Sequence, residues 1–412
     1  MPPAARRSSG VQLHLTALPD GRLGPSAHAF VDWLADAGQS YWQVLPLGPP
    51  DEHRSPYKAE SAFAAWKGLL AEPDAPVDPR EVAAFRERHA YWIAGWERHA
   101  GPGAVEDQVR FEREWAALRE HAATRGVRLV GDVPIYVAPG GADHRTWPEL
   151  FLPDGQAGVP PDALGPDGQL WGNPLYDWPA MQRRGYRWWT ERLRRTFDLF
   201  DVTRVDHFRA FVAYWAVPGD AETAVDGRWR RGPGRAVFDA AARELGTLEV
   251  LAEDLGVITE PVTRLRRALG FPGMLVTLFG FDADDPRGPH RPENHTGDAW
   301  IYVSTHDTDT AAGWHAGASA GQRATLAAAL DRRGIAEAAG DEHWALVRLA
   351  FSSPCPVAML AAQDVLGLGS EARMNVPGTK GRSWRWKLEP GQLTAAHAAR
   401  LRAATQDAGR LR

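Results

Sequence analysis

The 412-residue sequence contains one cysteine, Cys355. That excludes an intrachain disulfide and any metal cluster built on several thiolates. Cys355 reads as a small core residue rather than a nucleophile, because free cysteine is among the most buried residue types. No apolar run approaches the length of a transmembrane helix, so no span is expected. The start, MPPAARRSSG, is basic but leads into no apolar stretch, so no secretory signal is expected. A strong charge of either sign is also missing. The formal net charge of -5 is too mild to argue for nucleic acid or a membrane surface. Internal repeats and low-complexity tracts are absent as well. These absences together predict a cytoplasmic protein with neither nucleic acid nor membrane as a partner.

What the chain has in plenty is length enough for a large core and 18 tryptophans. Tryptophan is usually core, but a surplus also suits a cleft that stacks the flat apolar faces of sugar rings. Eight short apolar segments read as strands: residues 11–15, 41–47, 127–135, 202–208, 248–254, 273–281, 300–305 and 357–362. Helical patterns fall at 26–37, 106–125, 180–200, 260–269 and 320–333. Strands alternating with helices imply βαβ units and a parallel sheet, and eight of them predict an α/β fold, a (β/α)₈ TIM barrel. Segments 48–105 and 135–180 are rich in Pro, Gly and Asp. They read as long loops of the kind that form lids or small inserted subdomains.

In such a barrel the chemistry lies where strand C-termini open into loops. The third strand ends at Asp132, the fourth at Arg204 and Asp206, and the fifth at Glu253 and Asp254. The seventh ends in STHDTDT, with His306, Asp307 and Asp309. Residues i and i+2 of a strand face one side, so Arg204 and Asp206 point together. An arginine beside an aspartate favours its ionised form, which suits a nucleophile. Glu253 follows the apolar EVLA and lies near the charge expected on Asp206. Both effects favour its protonated form, which suits a general acid. One ionised and one protonated carboxyl is the arrangement of retaining glycoside chemistry, where the two groups stand about 5–5.5 Å apart. An Arg–Asp pair in a strand is also a common structural ion pair, and AED could be a helix cap. Carboxylates at several strand ends of one barrel favour the catalytic reading.

Nine segments, in order along the chain, carry a resemblance: GQSYWQVLPLGP, SPYKAESAFA, GDVPIYVA, GVPPDALGPDGQLWGNPLYDW, RVDHFRAF, LAEDLGVIT, STHDTDT, QDVLGLGSEARMNVPGT and SWRWKL. Over nearly its whole length the chain resembles the 4-α-glucanotransferases, or amylomaltases, of glycoside hydrolase family 77. The resemblance implies that Asp206 is the nucleophile and Glu253 the acid/base, with Asp307 a third carboxylate that holds substrate hydroxyls. It further implies that Arg204 and His306 flank the reacting sugar, that Tyr57 and Asp132 complete the subsite gripping it, and that Trp171 lines the groove. Asn375, in RMNVPG, falls near the site. The implied reaction transfers a 4-α-glucanosyl unit from one α-1,4-glucan or malto-oligosaccharide to another, or to glucose, with no metal or organic cofactor. The domain expected is a single catalytic barrel over 1–412. It has a shortened insertion at about 48–125 and loop insertions at about 135–180 and 212–246.

The chain departs from the family pattern in places. Lys58 stands where the family has glutamine, Thr308 where it has asparagine, and Ser383 opens SWRW. Ala163 and Leu164 follow PPD, where the family's lid often carries aromatics. These changes spare the matched catalytic residues and bear on chain-length preference and the exclusion of water. Two other readings of the same barrel are an α-1,4-glucan hydrolase and an inactive glucan-binding protein. A metal enzyme using His207 and His306 is a third, but neither motif has HExxH-type helical spacing. His14 reads as a satisfied histidine near the barrel mouth.

Overall fold

Strand formation follows the buried apolar runs closely. In the computed structural model, which describes residues 7–161, 166–282, 284–336, 338, 340–379 and 381–412, twelve strands are present. They are β1 (Ser8–Gln12), β2 (Tyr41–Gln43), β3 (Arg128–Val133), β4 (Phe151–Val159), β5 (Gln169–Tyr176) and β6 (Val202–Val205). Then come β7 (Ala213–Val217), β8 (Arg228–Arg231), β9 (Val250–Ala252), β10 (Gly273–Val276), β11 (Ala299–Tyr302) and β12 (Val357–Ala361). Eight form one sheet in the order β10-β11-β12-β1-β2-β3-β6-β9. These are the eight strands expected from the sequence, interleaved with helices as a (β/α)₈ fold requires. Between β10 and β11 the described residues hold only the 3-10 turn Thr277–Phe279. Ala163 and Leu164 lie outside the described residues. Among the described residues no helix is long and apolar enough to cross a membrane.

The chain divides into two compact units, residues 1–44, 118–130 and 272–412 in one and 45–117 and 131–271 in the other. In the first, β1 pairs in parallel with both β12 and β2, β2 pairs with β3, and β11 joins β10 to β12. The strand expected at 11–15 starts earlier, at Ser8, and ends at Gln12. Its polar-looking start SSG is wholly buried, because small residues are what fit there. A Cβ on Gly10 would lie 2.5 Å from the Cβ and the carbonyl oxygen of Tyr41. Cys355 is buried, its thiol 3.3 Å from the Thr296 carbonyl.

In the second unit β6 pairs in parallel with β9. A separate antiparallel sheet, in the order β5-β4-β7-β8, falls within two of the segments expected as loops, 135–180 and 212–246. Helices Pro79–Arg88 and Ile93–Ala100 fold within the other segment read as a loop, 48–105. The helix expected at 180–200 is broken into Trp178–Arg183 and Arg187–Leu199. Gly185 and Tyr186 stand between the pieces with φ of 63° and 57°, left-handed values that no helix continues through. Trp42, Trp188, Trp189 and Trp344 are among the largest fully buried side chains, so much of the tryptophan surplus serves the core. Phe208, Phe211 and Phe238 pack on one another at 4.7–5.7 Å between ring centres, and Phe271 closes the group against Phe238 at 5.3 Å. Phe208 and Phe211 lie on the 3-10 turn just after β6, so the cluster anchors that turn.

Because the space beside Gly10 is bounded by backbone as well as side chain, Gly10→Ala is expected to destabilise the protein by about 1–3 kcal/mol through overpacking. Chemical denaturation would read this as a lower midpoint.

Candidate active site

Each strand end of the second unit hands a charged group to the next. Asp132 lies within β3 and Arg204 within β6, while Asp206 and Glu253 are the first residues beyond β6 and β9. The ladder continues to hold them. Asp206 donates its N–H to Val133 O at 3.0 Å, and Glu253 donates its own to Val205 O at 3.0 Å. At His207 the backbone turns left-handed, with φ of 49°, which ends the strand expected to run to 208. Phe208 then donates its N–H to Glu253 O at 3.0 Å.

Arg204 is the hub. Its side chain is 5% exposed and that of Asp132 is wholly buried. One guanidinium nitrogen, Nη1, donates to both carboxylate oxygens of Asp132 at 2.9 and 2.8 Å. The other, Nη2, lies 2.8 Å from Asp206 Oδ1. Tyr57 donates its hydroxyl to Asp132 Oδ2 at 2.7 Å. Burial alone would pull the Arg204 guanidinium down, but the charges of Asp132 and Asp206 outweigh it and hold its pKa well above the usual value. The Arg204–Asp206 pair expected from strand alternation is present, and Asp132 is a second partner that alternation within one strand could not reveal.

Glu253 sits in the opposite electrostatic condition. Burial pushes its carboxyl up to about 7, and the charge of Asp206 adds to this. Arg204 and two backbone donors pull the other way without prevailing. Those donors are the His207 N–H, 2.6 Å from Oε2, and the Leu255 N–H, 2.9 Å from Oε1. Burial lowers the His207 ring to about 4, so it is neutral at neutral pH. Trp171, on β5, meets that ring edge-on at 4.8 Å. Asp254 turns away from this group and pairs with Arg266 at 2.9 Å, a structural role.

The first unit holds the remaining expected residues as a second group. Asn375 donates its Nδ2 to Asp307 Oδ1 at 2.6 Å and its backbone N–H to His306 O at 2.9 Å. His306 Nε2 lies 3.1 Å from Asp307 Oδ2, and Arg373 donates to the Asp307 carbonyl at 3.0 Å. The Trp384 ring stands 6.0 Å from that of His306. Asp309 accepts from Ser370 at 2.8 Å and from the Thr310 N–H, which makes it part of the loop's own wiring. Thr308 accepts the Thr305 N–H at 2.9 Å, so the residue replacing asparagine closes the turn that carries Asp307. His14 is buried, and burial with His306 nearby pushes it down to about 3. Lys58 is exposed.

Reading the sequence missed Arg373, which a motif-by-motif scan could have raised because it precedes Asn375 by two residues. It also missed the His207 and Leu255 backbone donors, which have no residue signature. Among the described residues no three His, Cys, Asp or Glu side chains are grouped as a metal site needs.

A family described as 4-alpha-glucanotransferase matches residues 13–98 and 103–394. A 4-alpha-glucanotransferase of Thermus thermophilus is 37% identical over 497 aligned residues, covering 98% of this chain and 99% of the relative. One of Synechocystis sp. is 36% identical over 488, covering 94% and 95%. The structure of an amylomaltase from Streptococcus agalactiae in complex with acarbose matches at a TM-score of 0.89 and 29% identity, over 98% of this chain and all of that one.

Removing one partner from a buried ion pair strands the other. Arg204→Met is therefore expected to destabilise the protein by about 3–5 kcal/mol, seen as a lower denaturation midpoint. Adding Asp132→Asn in that background should recover part of the loss, since it removes the stranded charge.

Proposed function

The chain belongs to the 4-α-glucanotransferase family, glycoside hydrolase family 77, and from that premise we propose which of its residues perform the transfer and how. It is a transferase that moves 4-α-glucanosyl segments between α-1,4-glucans. The observation that carries the assignment is the asymmetry of two carboxyls around one arginine. Asp206 is ion-paired with Arg204 at 2.8 Å, while Glu253 is buried and its pKa is pushed up to about 7.

In the first half-reaction the Asp206 carboxylate attacks the anomeric carbon and a C–O ester bond forms. The glycosidic C–O bond breaks, and Glu253 gives its proton to the departing O4, so the leaving glucan departs as an alcohol. Glu253 is then a carboxylate. In the second half-reaction it takes the proton from the 4-hydroxyl of an acceptor glucan or of glucose. The acceptor oxygen attacks the same carbon and Asp206 is released. Two inversions retain the configuration. Arg204 keeps its ion pair with Asp206 before attack and after release. Asp132, braced by Tyr57, holds the guanidinium in place, and the pair forms the floor beneath the reacting sugar, the role implied by the family pattern. Trp171 offers an apolar face to the groove. Asp307, fixed by Asn375 and His306, holds substrate hydroxyls, the role implied by the family pattern. The substrates proposed are malto-oligosaccharides met in a cytoplasmic pool.

The test is pure protein with maltotriose, products separated by chain length. Glucose plus a ladder of longer oligosaccharides, absent with Asp206→Asn, is the expected result. Equal maltose and glucose would mean that water is the acceptor, and no turnover on any α-glucan would leave binding alone. Glu253→Gln is expected to lower kcat by roughly 10²–10⁴-fold, the usual worth of a positioned general acid.

The pH dependence has a definite sign. Glu253 must begin protonated, so kcat/KM falls as pH rises through about 7. The folded state holds this proton more tightly than the unfolded chain, whose value is near 4.5. The stability from burying the neutral acid is therefore full below that value and is lost as pH rises through about 7. The melting-temperature advantage of Glu253→Gln over the native protein should accordingly be larger at about pH 8 than at about pH 5.

A further inference from the structure

Arg209 sits on the 3-10 turn Phe208–Phe211, two residues past His207, and the roles assigned above leave it unused. Its residue is 8% exposed. Among the described residues no carboxylate pairs with it, and its Nε has no hydrogen-bond partner. A buried cation without an anion is costly, so what it touches matters. Nη1 donates to the Val257 carbonyl at 2.7 Å. The guanidinium carbon lies 4.0 Å from the centre of the Trp229 ring, a cation–π distance. Trp229 is on β8, 41% exposed, and braced by Trp215 at 5.1 Å.

The two ends of this bridge are the two segments that hold Glu253. One is the turn after Asp206, which supplies the His207 N–H to Oε2. The other is the loop 254–257, which supplies the Leu255 N–H to Oε1. No other hydrogen bond described above joins the 3-10 turn to Val257. We propose that Arg209 is a positioning residue for the transfer reaction: it clamps the turn of Asp206 to the loop of Glu253 and so fixes the two backbone donors that aim the Glu253 carboxyl. The planar guanidinium is suited to this double task, since one edge bonds the carbonyl while the face lies on Trp229. A lysine ammonium in its place keeps the charge and loses the flat face. The inference rests on the assignment of Glu253 as acid/base.

The groups facing Glu253 are Arg204 and Asp206 at the end of β6, His207 on the turn, and the Leu255 N–H; Asp254 beside it is taken up by Arg266. Both backbone donors favour the ionised carboxyl. Loosening the clamp weakens them, which raises the pKa of Glu253 and misaligns its proton.

The experiment compares kcat, KM and the pH profile of kcat/KM on maltotriose for the native protein, Arg209→Met, Arg209→Lys and Glu253→Gln. Thermal stability is recorded beside them. The expected result is a kcat lowered roughly tenfold to a hundredfold in both Arg209 variants, the scale of losing a charged hydrogen bond. KM should stay near native and the alkaline limb should move to higher pH. An unmoved limb with only a lower melting temperature would overturn the proposal and make Arg209 a packing residue. Full rescue by Arg209→Lys would also overturn it, because charge alone would then suffice. Glu253→Gln separates the two levels. If the alkaline limb persists in that variant, the acid/base assignment itself fails and the clamp falls with it. If the limb disappears there but stays put in the Arg209 variants, only the clamp fails.

Discussion

Arg204 is a cation inside a protein, and the candidate site is built from the groups that make its burial tolerable. Desolvating a guanidinium is expensive unless its charge is met by well-placed carboxylates. Asp132 takes one nitrogen with both oxygens, and Asp206 takes the other with one. That division leaves Asp206 with an oxygen not bound to Arg204 and a side chain 23% exposed, while Asp132 is sealed and braced by Tyr57. The same arginine thus makes one aspartate structural and presents the other. Without Asp132 the guanidinium would have only Asp206 to hold it, and the presented carboxylate would be drawn into a fully saturated pair.

Backbone geometry enforces the presentation. β6 ends at Val205, and the left-handed residue at His207 swings the chain so that its own N–H bonds the Glu253 carboxylate and the Phe208 N–H bonds the Glu253 carbonyl. Left-handed backbone is unfavourable for a histidine by about 1–2 kcal/mol. The aromatic group of Phe208, Phe211, Phe238 and Phe271 sits on the residues just after it, and burying such rings offsets that penalty many times over. The turn is therefore paid for by the core and not by the site.

How much of this was legible in the sequence depends on which atoms carry it. The eight strands of the parallel sheet were readable from apolar runs such as YWQVLPL and VAMLAA, because strands buried on both faces need no alternation. Their ends were not. VTRVDHF reads as strand to Phe208, but β6 stops at Val205, just before Asp206, and the chain turns left-handed at His207. The antiparallel sheet was hidden because FLPDGQAGV and QLWGNPLY carry Pro153, Gly158 and Pro174, residues that argue against strands, and because β4 also pairs with β7, more than fifty residues away. The helix Pro79–Arg88 did announce itself: Asp78 with Glu81 is a capping box, overlooked inside a Pro- and Asp-rich segment. The carboxylates and Arg204 were legible as side chains at strand ends. The hydrogen bonds to the Glu253 carboxyl come from main-chain N–H groups, which every residue but proline has, so no letter in the sequence could mark them.

The carboxyl of Glu253, held at about 7 by burial, suits a reaction that has no preferred direction. Disproportionation breaks one α-1,4 linkage and makes another of the same kind, so it proceeds with almost no driving force and must run equally well both ways. A strong acid would speed cleavage and stall when asked to take the proton back. A weak one would do the reverse. A group whose proton is half-bound near neutrality favours neither half of the exchange. On the role proposed for it, the one buried glutamate serves both halves of the exchange, while the spread of chain lengths is left to mixing entropy, as it is for any catalyst of a reaction without driving force.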